Sequence, residues 1–119
     1  MSFDINAWLQ ENADYQSDDV MSEKGLDYFE ILLVLGYMVE NCYINPVSYT
    51  EWDVSRLLKD LSFEVHATKE AYATSVLVAQ EERIPAGVSV DWNATADYFL
   101  TDLPHYELED GRVAVWQDN

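Results

Sequence analysis

SEKGLDYFEILLVLGYMV, residues 22–39, decides how the rest of the chain is read. Ser22 stands before an acidic first turn, and Leu26, Phe29, Leu32, Leu33, Leu35, Tyr37, Met38 and Val39 follow at helical spacing, so the stretch predicts one helix beginning at Ser22. From Ile31 to Val39 it is apolar almost all round, the pattern of a helix at the centre of its domain, and Gly36 offers a place where a neighbouring backbone can approach.

Working outward, the chain predicts shorter elements around that centre. Towards the N-terminus, Ser2 is placed to cap a helix with an apolar stripe of Phe3, Ile5, Trp8 and Leu9 that ends near Ala13, followed by an acidic loop from Asp14 to Asp19. Towards the C-terminus, Asn45-Pro46 marks a loop over residues 41–48, and Thr50 caps a helix bearing Trp52, Val54, Leu57, Leu58 and Leu61 on one face. Thr68 starts a further helix to about Arg83, although residues 74–78 also read as a strand. Ile84-Pro85-Ala86-Gly87 breaks the chain, and Asp91 caps a short helix from Trp92 to about Thr101. Tyr106 and Leu108, then Asp110-Gly111, then Val113 and Val115 alternate on both sides of a turn dipeptide, the pattern of a β-hairpin. A hairpin alone is marginal, so it must pack on the helices or pair with another strand. The expectation is an α+β fold: one mostly α-helical acidic domain over residues 1–119, with four or five helices and a C-terminal hairpin. Trp8, Phe29, Leu33, Trp52 and Leu58 are its expected core.

Composition narrows the function. The chain has 119 residues, is 49% hydrophobic and 13% aromatic, and so has the means to fold. Its 23 acids against six bases leave a formal net charge of −17. Self-repulsion on that scale works against the compact state, so the excess serves solubility, partner choice or steering. Nucleic acid and anionic membrane surfaces repel such a chain, which removes both as direct partners. The single cysteine, Cys42, cannot close an internal disulfide, and neither a basic-then-apolar leader nor a spanning apolar run is present, which together predict the cytoplasm.

Catalytic patterns are weak. The four glycines, at 25, 36, 87 and 111, are too dispersed for a phosphate loop. His66 and His105 lie far apart, outside any zinc spacing, and read as surface or hydrogen-bonded histidines. Cys42 lacks the local signatures of cysteine enzymes and reads as a small hydrophobe at the end of an apolar helix. Paired carboxylates carry no information where acids are so abundant, and the run at Asp14 to Asp19 lacks the ligand spacing of a calcium loop. No catalytic residue, metal or cofactor is expected.

The acids are then the functional feature. Carboxylates three or four residues apart on a helix lie about 5–6 Å from one another, a separation of the order found between neighbouring phosphates. Asp19, Glu23, Asp27 and Glu30 form one such series; Asp53, Asp60 and Glu64 a second; Asp91, Asp97 and Asp102 lead to Glu107, Glu109 and Asp110; Asp14 and Asp18, in the acidic loop, add to the same partner-binding surface. Few have a basic residue at i+4, so they read as bare negative charge offered to a basic DNA-binding protein. The competing readings of the same charge are an immunity protein or antitoxin against a basic nuclease or toxin, a salt-adapted surface, and an enzyme or virion protein. The hairpin edge and the aromatics near Trp92 and Trp116 offer a surface for a homodimer.

Ile84-Pro85, Val90-Asp91-Trp92, Ala96, Tyr98 and Gly111-Arg112-Val113-Ala114-Val115-Trp116 together resemble the end of ArdA-type antirestriction proteins, which carry a similar Ile-Pro, an Asp followed by Tyr or Trp, a short helix and a terminal strand. The resemblance covers less than a third of the chain, and the Ala-Arg-Asp run usual in that helix reads Ala96-Asp97-Tyr98 here. It implies an elongated, acidic, phage- or plasmid-encoded DNA mimic that occupies the DNA site of a restriction-modification enzyme. CRISPR effectors are a second target of the same kind.

Overall fold

The computed structural model describes residues 3–14, 20–46 and 51–117, with the backbone alone for residues 51–53. Among them are six helices and three strands: α1 (Ile5–Asp14), α2 (Val20–Glu23), α3 (Tyr28–Glu40), α4 (Glu51–Asp60), β1 (Glu64–His66), α5 (Lys69–Ala79), α6 (Trp92–Leu100), β2 (His105–Glu107) and β3 (Val113–Val115). The expected α+β class holds, with one helix more than anticipated. Ser2, Thr50, Asp18 and Asp19, with the loop residues beside them, lie outside the described residues.

The extra helix arises because residues 22–39 are two helices. Gly25 adopts φ +88°, Gly25 N–H donates to Ser22 O at 3.0 Å and Leu26 N–H to Met21 O at 3.2 Å, so α2 closes in a Schellman motif. Asp27 then opens α3 through a reciprocal capping box: its carboxylate accepts from Glu30 N–H at 2.8 Å, and its own N–H donates to the Glu30 carboxylate at 3.1 Å. Both signals are local, and each outweighs the hydrophobic period that runs across them.

The same ending recurs at non-glycine residues. Cys42, Ser62 and Glu81 have φ of 65°, 55° and 58°, and each is followed by a residue whose N–H returns to the carbonyl five positions back: Tyr43 to Met38, Phe63 to Leu58 and Glu82 to Leu77. Cys42 is exposed, which corrects its assignment as a buried small hydrophobe. It sits one step past the C-cap Asn41 in the left-handed position, before the chain returns to the core at Ile44.

The described chain forms two compact units, one reaching Glu64 together with Trp116 and Gln117, the other Val65–Val115. In the first, α1 packs on α3 and α4, and α2 on α4. Ile31, Val34, Leu35 and Met38 supply the inner face of α3, with Trp8, Met21, Ile44, Val54 and Leu58 around them, all buried. Trp116 completes this core: it is buried, meets Tyr37 and Tyr43 edge-on at centroid distances of 6.0 and 5.4 Å, and stacks on Phe63 at 6.2 Å. Gln117 N–H donates to Leu61 O at 2.7 Å. Trp116 is therefore not an exposed aromatic available to a homodimer, and Trp92 is half-buried against the core of the second unit.

In that second unit Thr68 and Asp91 cap α5 and α6 as the sequence predicts, their side chains accepting from Ala71 N–H at 3.0 Å and Ala94 N–H at 3.1 Å. Residues 74–78 are helical, not a strand, and α5 ends at Ala79. Tyr72 and Ala73 of α5, Ala96 and Leu100 of α6, and Val113 and Val115 of β3 form the core. The sheet order is β1-β3-β2, with β2 and β3 antiparallel and Tyr106 opposite Ala114. The hairpin connection is longer than a two-residue turn. Gly111 N–H donates to Leu108 O at 3.0 Å and Leu108 N–H to Arg112 O at 2.8 Å, so Glu109 and Asp110 occupy the turn and Gly111, at φ +94°, the left-handed position after it. β1 is the strand that the hairpin needs as a partner, and it is too short for its alternation to be read from sequence.

Candidate partner-binding surface

The expected acidic positions whose side chains are described fall into three situations. Asp14 ends α1, Glu23 ends α2, Asp60 ends α4, and all three are exposed, as are Glu64 in β1, Asp102 after α6 and Glu109 in the hairpin turn. Asp27, Glu30 and Asp91 are engaged at helix starts, where carboxylates meet the unpaired N–H groups and the positive end of the helix dipole. Asp97, Glu107 and Asp110 are paired with cations. Asp53 lies on α4, with its side chain outside the described residues. The first series is thus not one ladder on one helix, because Glu23 belongs to α2 while Asp27 and Glu30 begin α3.

Three cation pairs lie in the second unit. Lys69 Nζ lies 2.8 Å from Asp97 Oδ1 and 2.7 Å from Glu107 Oε1, tying the start of α5 to α6 and to β2. The hydrogen bond that Lys69 donates to Asp97, then the one it donates to Glu107, holds its ammonium above the ordinary lysine value. Lys69 is consequently kept protonated, which suits it to an ion pair and not to an amine nucleophile. A cleft of about 350 Å³ opens beside it, lined by Thr68, Asn93, Glu107, Leu108, Glu109 and Gly111. Arg112 donates from Nε to Asp110 Oδ2 at 2.7 Å, and its backbone N–H donates to Asp110 Oδ1 at 3.1 Å. The charges classed as bare at Asp97, Glu107 and Asp110 are therefore partly neutralised, by partners 28, 38 and two residues away in sequence.

The first unit keeps more of its charge. Met1–Glu64 with Trp116–Asn119 carries 14 acids and three bases, a formal −11, whereas Val65–Val115 carries nine acids and three bases, a formal −6. No rearrangement of three cations neutralises the first set.

The histidines take ordinary places. His105 Nδ1 donates to Leu103 O at 2.9 Å, and His66 meets Tyr72 edge-on at 5.2 Å. Burial pushes the Tyr72 phenol above its ordinary value. Among the described residues no cluster of three His, Cys, Asp or Glu side chains is placed to hold a metal ion, and no helix is long and apolar enough to cross a membrane.

Sequence periodicity misplaced two of the exposed apolar side chains. Phe29 is 67% exposed and Leu33 39%, although both were expected in the core, and Trp8 and Leu58 are buried as expected. A helix apolar all round buries only the faces its neighbours cover, and α3 covers Ile31, Val34, Leu35 and Met38 instead. The signal was present: more consecutive apolar residues than one helix of a small unit can bury. Compared with protein families, curated proteins and solved structures, the chain matches none.

Proposed function

We propose that the protein acts without catalysis as an acidic DNA mimic, inhibiting a bacterial DNA-binding defence enzyme of the restriction-modification or CRISPR-effector class. The observation that carries this reading is the unneutralised charge of the first unit, −11 in formal terms, with Asp14, Glu23 and Asp60 exposed at the ends of three different helices. A groove built for DNA presents Lys and Arg at phosphate positions, and a protein presenting carboxylates there competes with DNA and gains association rate from long-range attraction. The resemblance of Ile84–Trp116 to ArdA ends points the same way.

Capture of partners from a bacterial lysate by the tagged full chain at low salt, followed by challenge with duplex DNA, tests the reading. A retained DNA-binding enzyme that DNA displaces supports it. Retention indifferent to DNA sinks it. In the mimic mode, the combined variant Asp14→Asn, Glu23→Gln, Asp60→Asn binds more weakly and with a flatter salt dependence, whereas single neutralisations change little because exposed charges act collectively.

One observation favours a second reading. Exposed Phe29 and Leu33 have no counterpart in a phosphate backbone and suit recognition of a protein surface for its own sake. That is the expectation for an immunity protein or antitoxin that neutralises a basic nuclease or toxin.

A further inference from the structure

Phe29 and Leu33 are not isolated. They lie at i and i+4 on α3, and Gly36 and Glu40 continue the same row at i+7 and i+11. A Cβ placed on Gly36 would lie 4.0 Å from Leu9 Cδ1, so the row is continuous with α1, where Ile5, one turn before Leu9, is also exposed. Phe29, Leu33 and Gly36 thus form one apolar track on α3 that meets α1 at Leu9.

Charge decides what fits it. Neither α1 nor α3 carries a lysine or arginine. Exposed acids stand at the ends of the track: Asp4, which caps α1 beside Ile5; Asp27, which caps α3 beside Tyr28; and Glu40 at the end of the row. A second copy would bring two chains of formal charge −17 face to face with no cation on either helix to meet the acids. An anionic lipid surface is repelled for the same reason. The complement is apolar in the middle and basic at the edges.

We infer that the α1–α3 face docks an amphipathic helix of a partner protein, one that sets apolar side chains at i, i+3 or i+4 and i+7 against Phe29, Leu33 and Ile5 and carries lysine or arginine on its flanks. This goes beyond the mimic reading and does not rest on it: the track supplies a short-range, salt-tolerant anchor, whatever the wider acidic surface imitates.

Fluorescence anisotropy with the full-length protein tests it. The probe is a labelled synthetic peptide of about 18 residues, roughly five helical turns, with leucines along one face and lysines elsewhere; a scrambled peptide of the same composition is the control. The decisive variant is Phe29→Glu with Leu33→Glu. It adds negative charge, so attraction by charge alone would hold the lysine-rich peptide more tightly, whereas docking on the track loses its anchors and weakens by about tenfold or more. Phe29→Glu alone, at the more exposed of the two positions, gives the same direction if the double variant fails to fold, with the circular dichroism melt as the check. Wild type is expected to prefer the amphipathic peptide to the scrambled one and to keep that preference at about 0.5 M salt, where exposed charges are screened. Equal or tighter binding by the glutamate variants, no preference over the scrambled peptide, or salt-resistant self-association abolished by those same substitutions each overturns the inference. Displacement by duplex DNA is not part of this readout, so the mimic reading and this one fail separately.

Discussion

The two units differ in how many acids they carry for their cations. In Val65–Val115 four of the nine acids are drawn into structure: Asp91 caps α6, Asp97 and Glu107 share Lys69, and Asp110 holds Arg112. In the unit built on α1 to α4, Asp27 and Glu30 serve a helix start, but the excess of acids over bases is nearly twice as large, and the apolar surplus of α3 lies open beside it. Net charge alone therefore does not locate a binding surface. What favours one is acid in excess of the cations available to it, and that excess is larger in the first unit, 11 against six.

The largest effect that could break this contrast is in the core. Trp116→Ala removes the ring shared by Tyr37, Tyr43 and Phe63 and should destabilise the first unit by about 3–5 kcal/mol, read as a fall in the urea midpoint of the helical signal. Its indole Nε1–H has no acceptor among the described residues, so Trp116→Phe, which discards that buried donor while keeping a ring, should cost clearly less. Equal losses would mean that the aromatic cluster is not what holds the first unit.

Next is the Lys69 hub. Lys69→Met should cost about 1 kcal/mol at neutral pH, modest because the pair is partly solvated, and the loss should be confined to the second unit. The pH dependence has a definite sign. The folded-state value of Lys69 is raised above 10.5, so its contribution is complete below that pH and is lost as pH climbs through the higher folded value. Tyr72, raised above 10.0 by burial, acts in the same direction, because the unfolded chain releases the phenolic proton first. Wild type should thus lose stability progressively above about pH 10. Lys69→Met and Tyr72→Phe should each flatten that decline, and a decline unchanged in both variants would remove these groups as its cause.

Cap removal separates structural acids from spare ones. Asp27→Ala and Asp91→Ala should each cost about 1 kcal/mol, whereas Asp14→Asn, Glu23→Gln and Asp60→Asn together should leave stability unchanged or slightly raised at low salt by relieving repulsion, a gain that vanishes at high salt. A thermal melt of each variant at two ionic strengths makes the comparison.

The smallest expected effect concerns the helix ends. Cys42→Gly, Ser62→Gly and Glu81→Gly each replace a side chain held at positive φ and should stabilise by several tenths of a kcal/mol, since relief of left-handed strain is offset in part by the freer unfolded chain. Gly25→Ala and Gly111→Ala should move the other way, and no neighbour lies within 4 Å of either new Cβ, so the backbone alone sets that cost.

What was legible in the sequence is what neighbouring residues enforce on one another. Thr68 and Asp91 bond to backbone N–H groups three residues on, and Gly111 supplies a backbone conformation that few residues adopt, so both helix starts and the hairpin could be read without the fold. Gly25 and the Asp27-Glu30 box were equally local; a continuous hydrophobic period simply obscured them. Of the site, the excess of acid was visible and its allocation was not, because the partners of Asp97 and Glu107 come from a different helix start and only packing brings Lys69 to both.

Sequence by itself determined the α+β class, the negative charge and the starts of α5 and α6, since composition and contacts three or four residues apart are properties of the chain alone. Tertiary structure decided that Trp116 is core and Phe29 is surface, that β1 joins the hairpin, and which carboxylates remain unneutralised. The physical reason is that burial and ion pairing depend on which faces the other elements happen to cover, and a helix apolar on every side carries no record of which face that will be.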